Sequence, residues 1–450
     1  MEPQNKETIE EAILKERNRV GEIKAICGGE FPELEAKAIS EGWDKAKTSE
    51  EVLAKYREAR PKSVPTISVK RGVEANAKHI ECALALRAGI SGDELLKEMG
   101  EETVEAAAKD ADMPFTAILG ECLKLEGKSA PRSFDNASIK AAFSTVSLPG
   151  ILSNVAQKKL LQSFNAQPIL ATKLCTTGDL SDFKENQRFR LTDIGDLEPV
   201  GPGGEIKDGS LTEESAVNQL DTYAKKFCLT RKMIINDDLG AFLKVPTAMG
   251  NRAARLIDQL FFKRLMANPT MPDGKALFNA AHKNLMTGPA SALSPDALKK
   301  AIQLFLCQTD NDGQPINVEP SLLLVPPALK FNALELTKGQ TLIAAGGPSE
   351  GAATAMPALN VLASQHLTVV SSPYLQNENY PGASEQAWYL FGKPGTVDTF
   401  EIGYLKGKHT PTVEKGDLDF NVLGMWFRVY FDIGIREQDH RGMVKAKGMA

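Results

Sequence analysis

MWFRVYFDIGI, residues 425–435, decides the fold class of this chain. Phe427, Val429, Phe431, Ile433 and Ile435 fall on one side of a two-residue period, and Trp426, Arg428, Tyr430 and Asp432 on the other. Successive side chains of a strand point to opposite faces. The stretch therefore predicts one long strand, with an apolar face on a core and a mixed aromatic and charged face turned away from it. Such a strand belongs in an extended sheet, whose other members lie earlier in the chain.

Working back, residues 274–395 read as a compact mixed region. Ser294, Pro295 and Asp296 open a helix with a capping hydroxyl, a proline in the first turn and an acid beside the positive end of the dipole. SLLLVP (321–326), LTVVSSPYL (367–375) and AWYLFG (387–392) read as strands, and PPALKFNALEL (326–336) as a helix. Before this region, Ala253, Leu256, Ile257, Leu260, Phe261 and Leu265 recur at steps of three and four, which predicts one long helix from Pro246 to Ala267. Earlier still, FKENQRFRL (183–191) and YAKKFCLTRKMII (223–235) alternate charged and apolar residues on either side of a Gly- and Pro-rich centre, 193–215. That pattern reads as a long two-stranded arm leaving the body. LPGILSNVAQKKLLQSF (148–164) is an amphipathic helix with Pro149 in its first turn.

Residues 1–135 have a different texture. EEAILKERNRVGEIKAI (10–26) is helical, Ser49 ahead of Glu50 and Glu51 reads as an N-cap, and ARPKSVPT (59–66) stops the set. EANAKHIECALALRAG, SGDELLKEMG and PFTAILGECLKLEG each end at glycine, a common helix stop. GKSAPRSFDNAS (127–138) reads as a linker. Residues 1–135 hold 27 acids against 21 bases, while the remainder holds 31 against 32. An acidic helical segment ahead of a nearly neutral body suggests two units with different tasks, and neither is basic enough for specific nucleic-acid recognition.

The same sequence argues against an enzyme. The six cysteines stand singly and read as reduced thiols, mostly buried, and the five histidines share no metal-ligand spacing. AAGGPSEGAA (344–353) lacks the Lys-Ser/Thr ending of a phosphate loop, and residues 1–135 contain no GxSxG elbow. Cofactors and metals are therefore not expected. No run of about 18 apolar residues suggests a membrane span, and the charged start does not read as a signal peptide. Assembly in the cytoplasm is the expectation.

The tail TFEIGYLKGKHTPTVEKGDLDFNVLGMWFRVYFDIGIREQDHRGMVKAKG (399–448) resembles the closing strands of tailed-bacteriophage major capsid proteins with the Hong Kong 97-type shell fold. The positions that carry the resemblance are Phe400 and Glu401, Gly407, Pro411 and Val413, Asp432 and Gly434, and Asp439 with Arg441 and Gly442. It implies an α+β fold made of N-arm, E-loop, spine helix, axial domain and peripheral domain, preceded by an all-helical segment. The implied boundaries are 1–135 for a scaffold-like (delta-like) assembly segment, 136–177 for the N-arm and its helix and 178–232 for the E-loop. Residues 233–284 would form the peripheral domain with the spine helix, 285–395 the axial domain and 396–450 the closing peripheral strands.

The implied function is a structural one: self-assembly into hexamers and pentamers of an icosahedral virion shell, through a procapsid, around double-stranded DNA held non-specifically. The implied partners are other copies of the chain, a portal and a maturation protease acting in trans, with no membrane. Lys184, Arg188, Arg190, Lys207, Lys225, Lys226, Arg231 and Lys232 of the E-loop would meet acids of a neighbouring subunit, the alternative being a solvated face. Lys207 is the loop-tip lysine for an isopeptide bond of the kind the type member forms, although no acceptor or catalytic Glu is evident. Phe400, Glu401, Trp426, Arg428 and Asp432 mark the peripheral strands. An encapsulin-like compartment shell and a soluble α/β enzyme with an unseen site are the alternative readings.

Overall fold

The computed structural model describes residues 4–28, 31–59, 69–129, 141–142, 145, 147–193, 212–236, 239–310, 313–343, 357–416 and 424–448. The chain divides into two compact units, residues 1–74 and 75–450.

In the first unit, helices α1 (Gln4–Cys27), α2 (Pro32–Ser40) and α3 (Lys45–Ala59) close on Ile23, Cys27, Ala38, Trp43 and Val52. Arg19 of α1 donates to the carbonyls of Ala38, Ile39 and Trp43 at 3.3, 3.3 and 2.8 Å, which occupies carbonyls at the end of α2 and just beyond it. The cap of α3 is Asp44, whose carboxylate accepts the Lys47 amide at 2.9 Å. Ser49, expected as the cap, lies inside the helix with its hydroxyl turned back to the Lys45 carbonyl. The Ser-Glu-Glu signature was outranked by an Asp five residues earlier that begins the helix more than a turn sooner.

The second unit begins within α4 (Val69–Arg87) and continues through α5 (Gly92–Met99), α6 (Glu101–Ala108), α7 (Phe115–Leu125) and α8 (Ser147–Asn165). Gly127, at φ +75°, ends α7 in a left-handed cap, with the Lys128 amide on the Leu123 carbonyl at 3.0 Å. Strands β1 (Thr176–Leu180), β2 (Asn186–Asp193), β3 (Thr212–Asn218) and β4 (Asp221–Thr230) follow, then α9 (Arg231–Ile235) and α10 (Leu239–Ala267). The remainder carries β5 (Leu285–Met286), α11 (Pro295–Leu306), β6 (Pro320–Val325), α12 (Lys330–Lys338), β7 (Thr341–Ile343), β8 (Pro357–Leu359), β9 (Thr368–Ser371) and β10 (Trp388–Gly392). The last strands are β11 (Phe400–Leu405), β12 (Thr412–Lys415), β13 (Gly424–Glu437) and β14 (Met443–Ala446).

Two five-stranded sheets organise this unit. In the first, β13 takes β11 and β12 along one edge and β4 along the other, and β1 joins β11 in parallel. Phe427, Val429, Phe431, Ile433 and Ile435 are all buried, as the alternation required. The second sheet runs β5-β14-β10-β6-β9. The long helix α10 buries Ala254, Ile257, Phe261, Phe262 and Leu265 in a core that both sheets share. Ser294 caps α11, accepting the Ala297 amide at 3.2 Å. The elements thus follow the order that the resemblance implied: helix, arm, long helix, mixed region, closing strands.

Five details differ from the sequence reading. The long helix starts at Leu239, with Pro246 inside it. Phe242 and Leu243, buried ahead of the proline, hold its first turns on the core and offset the lost backbone hydrogen bond. The two charged stretches are not partners in one arm: Tyr223–Thr230 lies on β13 in the first sheet, and the arm is only β2 against β3. RKMII is the helix α9, and PYL (373–375) is a 3-10 turn rather than strand. Finally, β14 leaves the first sheet and inserts between β10 and β5 of the second.

The compact units part at Glu74 and Ala75, not at 135. Ile80, Leu84, Leu119 and Leu123 share one core with Leu148, Ile151 and Leu152 of α8 and with Phe227, Met425 and Phe427 of the sheet. Charge counts register exposed faces, whereas this union is made by buried ones.

Candidate inter-subunit arm and its anchor

Strands β2 and β3 pair in antiparallel register, Asn186 with Asn218 and Arg188 with Ala216. Among the described residues neither strand has a hydrogen-bonded neighbour besides the other. An isolated two-stranded ribbon is marginal in water, so this arm needs a surface to lie on.

Its base is firmly built. Glu401 of β11, nearly buried, accepts from Arg188 Nε and Nη2 at 3.2 and 2.9 Å and from Asn218 Nδ2 at 3.1 Å. Asn218 is fully buried, and its own oxygen accepts the Gln219 amide at 2.9 Å. Gly178 of β1 makes room for this cluster, since a Cβ there would run into the Arg188 guanidinium and the Glu401 carboxylate. Gly403 does the same beside Leu180 and Asn218, and Gly434 beside the Gln219 carbonyl. Both strands of the arm are therefore clamped by side chains to the first sheet.

The expected arm cations separate into different environments. Arg188 is paired within its own chain, so it anchors the arm rather than reaching outward. Arg190 stands opposite Glu214 on the arm. Lys184 is exposed at its root. Lys225 and Lys226 belong to β4 of the sheet; Lys226 Nζ lies 4.8 Å from the Trp426 ring centre. Arg231 and Lys232 begin α9, and Lys207 lies outside the described residues together with most of the Gly-rich centre.

Of the strand residues, Phe400 is buried edge-to-face on Phe261 at 5.1 Å. Asp432 accepts from Thr222 Oγ1 at 2.6 Å. Arg428, largely exposed, donates twice to Glu414 Oε2 at 2.8 and 2.7 Å, and Tyr430 donates to Glu414 Oε1 at 2.8 Å. The Arg428 bonds, joined by that of Tyr430, hold the Glu414 carboxyl below the usual carboxylate range. Glu414, Arg428, Tyr430, Asp432 and Thr222 share the face of β12, β13 and β4 that is turned away from the core.

Asn218 and Glu414 were not singled out in the sequence, because neither lies in a motif; only the pairing register brings them to Glu401 and Arg428. Two of the histidines bond to carboxylates, His282 Nε2 to Asp273 at 2.7 Å and His79 Nε2 to Asp110 at 2.8 Å. No group of three metal-ligating side chains occurs among the described residues, and no helix among them is long and apolar enough to cross a membrane. The Gly-rich loop 344–353 lies outside the described residues.

A family model described as phage capsid protein matches residues 213–446. Among solved structures, the chain is similar to the capsid of the cyanophage P-SCSP1u, at 14% identity over 62% of this chain and 88% of that one, with a TM-score of 0.41. It is also similar to the mature capsid of bacteriophage PhiM1, at 12% identity over 62% and 86% with a TM-score of 0.39. A virus-like particle from Pyrococcus furiosus shares 12% identity over 64% and 95%, with a TM-score of 0.36. No curated protein matches the chain.

Proposed function

Because the chain belongs to the phage capsid protein family, we propose that it is the repeating major subunit of an icosahedral virion shell, assembled from hexamers and pentamers in the cytoplasm of a bacterial host. The observation that carries the geometry of assembly is the β2/β3 arm: a ribbon clamped at its base by Glu401 and paired with nothing else among the described residues. Laid over a neighbouring copy, it gains the surface that a free ribbon lacks. In this reading Lys184 at its root and Arg190 along it meet that neighbour's acids.

The contents are double-stranded DNA, held without sequence readout. Portal and maturation protease act as partners in trans, and the chain itself performs no catalysis. The first unit, residues 1–74, steers curvature during procapsid assembly, and the mature subunit is completed when it is released. The closing strands 396–450 and the long helix supply the outer wall of each subunit, and the mixed region between them turns toward the local symmetry axis.

Expression of the full chain followed by negative-stain microscopy tests the reading. Rings or closed shells are expected. A monodisperse monomer or dimer at high concentration, with neither rings nor shells, would sink it.

A further inference from the structure

Helix α8 is enclosed on three sides. On one, Gly250 lets α10 approach so closely that a Cβ there would collide with the Leu160 carbonyl and come within 3.1 Å of the Phe164 amide nitrogen. On the second, Gln157 donates to the Pro411 carbonyl at 3.0 Å and accepts the Val413 amide at 2.6 Å, which ties α8 to β12. The third side is covered by helices α4 to α7. Asn154 donates to Glu81 at 2.9 Å, Lys158 Nζ meets both Glu81 and Glu98 at 2.9 Å, and Gln162 donates to the Gly89 carbonyl at 3.3 Å. Asn154, Lys158 and Gln162 are spaced by one helix turn and form a single stripe.

We infer that residues 75–125 are a permanent clamp on α8, retained by the mature subunit even if the backbone is cut behind them, so that only residues 1–74 are free to leave. What maturation means here rests on the shell reading above; the clamp itself rests on the packing.

Two observations support this against removal of the whole front third. First, the interface is core rather than surface. Leu84, Leu119 and Leu123 pack in the same cluster as Leu148, Ile151 and Val155, all nearly free of solvent. Stripping the clamp exposes a contiguous apolar patch on α8, which soluble proteins avoid, and leaves the half-buried Lys158 without its acids. Second, the net acidity that set residues 1–135 apart is concentrated behind residue 74, in the stretch that holds the clamp. Residues 1–74 hold 15 acids and 14 bases, and residues 75–135 hold 12 and 7. The acidic portion is thus the packed portion, and its charge reflects solvated outer faces.

The test uses the full chain with a site-specific protease sequence inserted after Ser129, an exposed position. After cutting under native conditions, size exclusion and intact-mass analysis should find the 1–129 fragment with the remainder, released only by denaturant. Free separation in native buffer overturns the clamp. Glu81→Gln combined with Glu98→Gln in the cut protein should speed fragment loss at least tenfold; an unchanged loss rate removes the ion cluster from the argument and counts against the clamp.

Hydrogen exchange on the unmodified chain gives an independent reading. Amides at 80–84 and 119–123 should be protected as strongly as those of α8, and protection a hundredfold weaker would overturn the proposal. A retained fragment in a protein that never forms shells defeats the shell reading alone. Shells that lack residues 75–129 defeat the clamp alone.

Discussion

Arg264 and Glu437 face each other as a fork, with Nε and Nη2 each donating at 2.7 Å to one of the two carboxylate oxygens. The pair joins the last turn of α10 to the last residue of β13, so it fixes the angle at which the long helix crosses the first sheet. Glu437 is nearly buried and raises the Arg264 guanidinium still further above its ordinary value. Removing one partner of such a pair strands the other in a low-dielectric site. Because Arg264 is a third exposed, the loss from Arg264→Met or Glu437→Gln should be about 2–3 kcal/mol, below the range for a fully buried pair. Urea denaturation of both single variants and the double variant checks this. Strict additivity of the two singles would show that they do not act as a pair.

Lys445 of β14 makes a prediction about pH. Its ammonium sits 5.7 Å from the centre of Phe278 and 5.4 Å from that of Tyr389, in a nearly buried site. Burial pushes its pKa down, and Lys447 adds to the effect. With the folded value below the unfolded one, the unfolded chain binds more protons between the two. Stability therefore falls as pH drops through the folded value and is fully present above the unfolded value near 10.4. Lys445→Met keeps the length and removes the charge. Its urea midpoint should exceed that of the parent at neutral pH, with the difference shrinking as pH approaches about 10. Parallel midpoint curves for the two proteins would contradict this.

The strand β13 was legible because its period is local: each residue's neighbour two positions on shares its face, and Phe427 to Ile435 needed nothing else to be placed. Partnership was not legible. FKENQRFRL and YAKKFCLTRKMII carry the same alternation, and no local property distinguishes an arm strand from a strand that pairs with β13 some 200 residues later in the chain. Pro246 resembled a helix start because prolines favour first turns; the buried Phe242 and Leu243 that carry the helix through it are recognisable only once the core exists. Glu401 was marked by its motif, whereas Asn218 had no motif to mark it, yet they meet in one hydrogen bond.

Two glycines of α10 should respond oppositely to alanine. Gly240 has open space around the position of a Cβ, and Gly250 has the backbone of α8. Helix propensity favours alanine over glycine by up to about 1 kcal/mol, less in a first turn, so Gly240→Ala should be neutral to mildly stabilising. At Gly250 the same gain is outweighed, because relief requires α8 and α10 to part; overpacking of this kind costs about 1–3 kcal/mol. Thermal or urea unfolding of the two variants side by side gives the comparison. A Gly250→Ala protein as stable as the parent would mean that the helices separate freely.

The base of the arm makes the last prediction, because two residues there bond to the same carboxylate from opposite situations. Arg188 is 44% exposed, so its pair with Glu401 is screened, and Arg188→Ala should cost about 1 kcal/mol or less. Asn218 is fully buried, and Asn218→Ala removes a donor to Glu401 while leaving the Gln219 amide without its acceptor. Unsatisfied buried groups cost about 1–3 kcal/mol each, so the neutral residue should matter more than the charged one. Hydrogen exchange localises the effect: in Asn218→Ala the amides of β2 and β3 should lose protection while those of β10 keep theirs. The opposite ranking, with Arg188→Ala the more damaging, would mean that the ion pair rather than the buried amide holds the arm to the sheet.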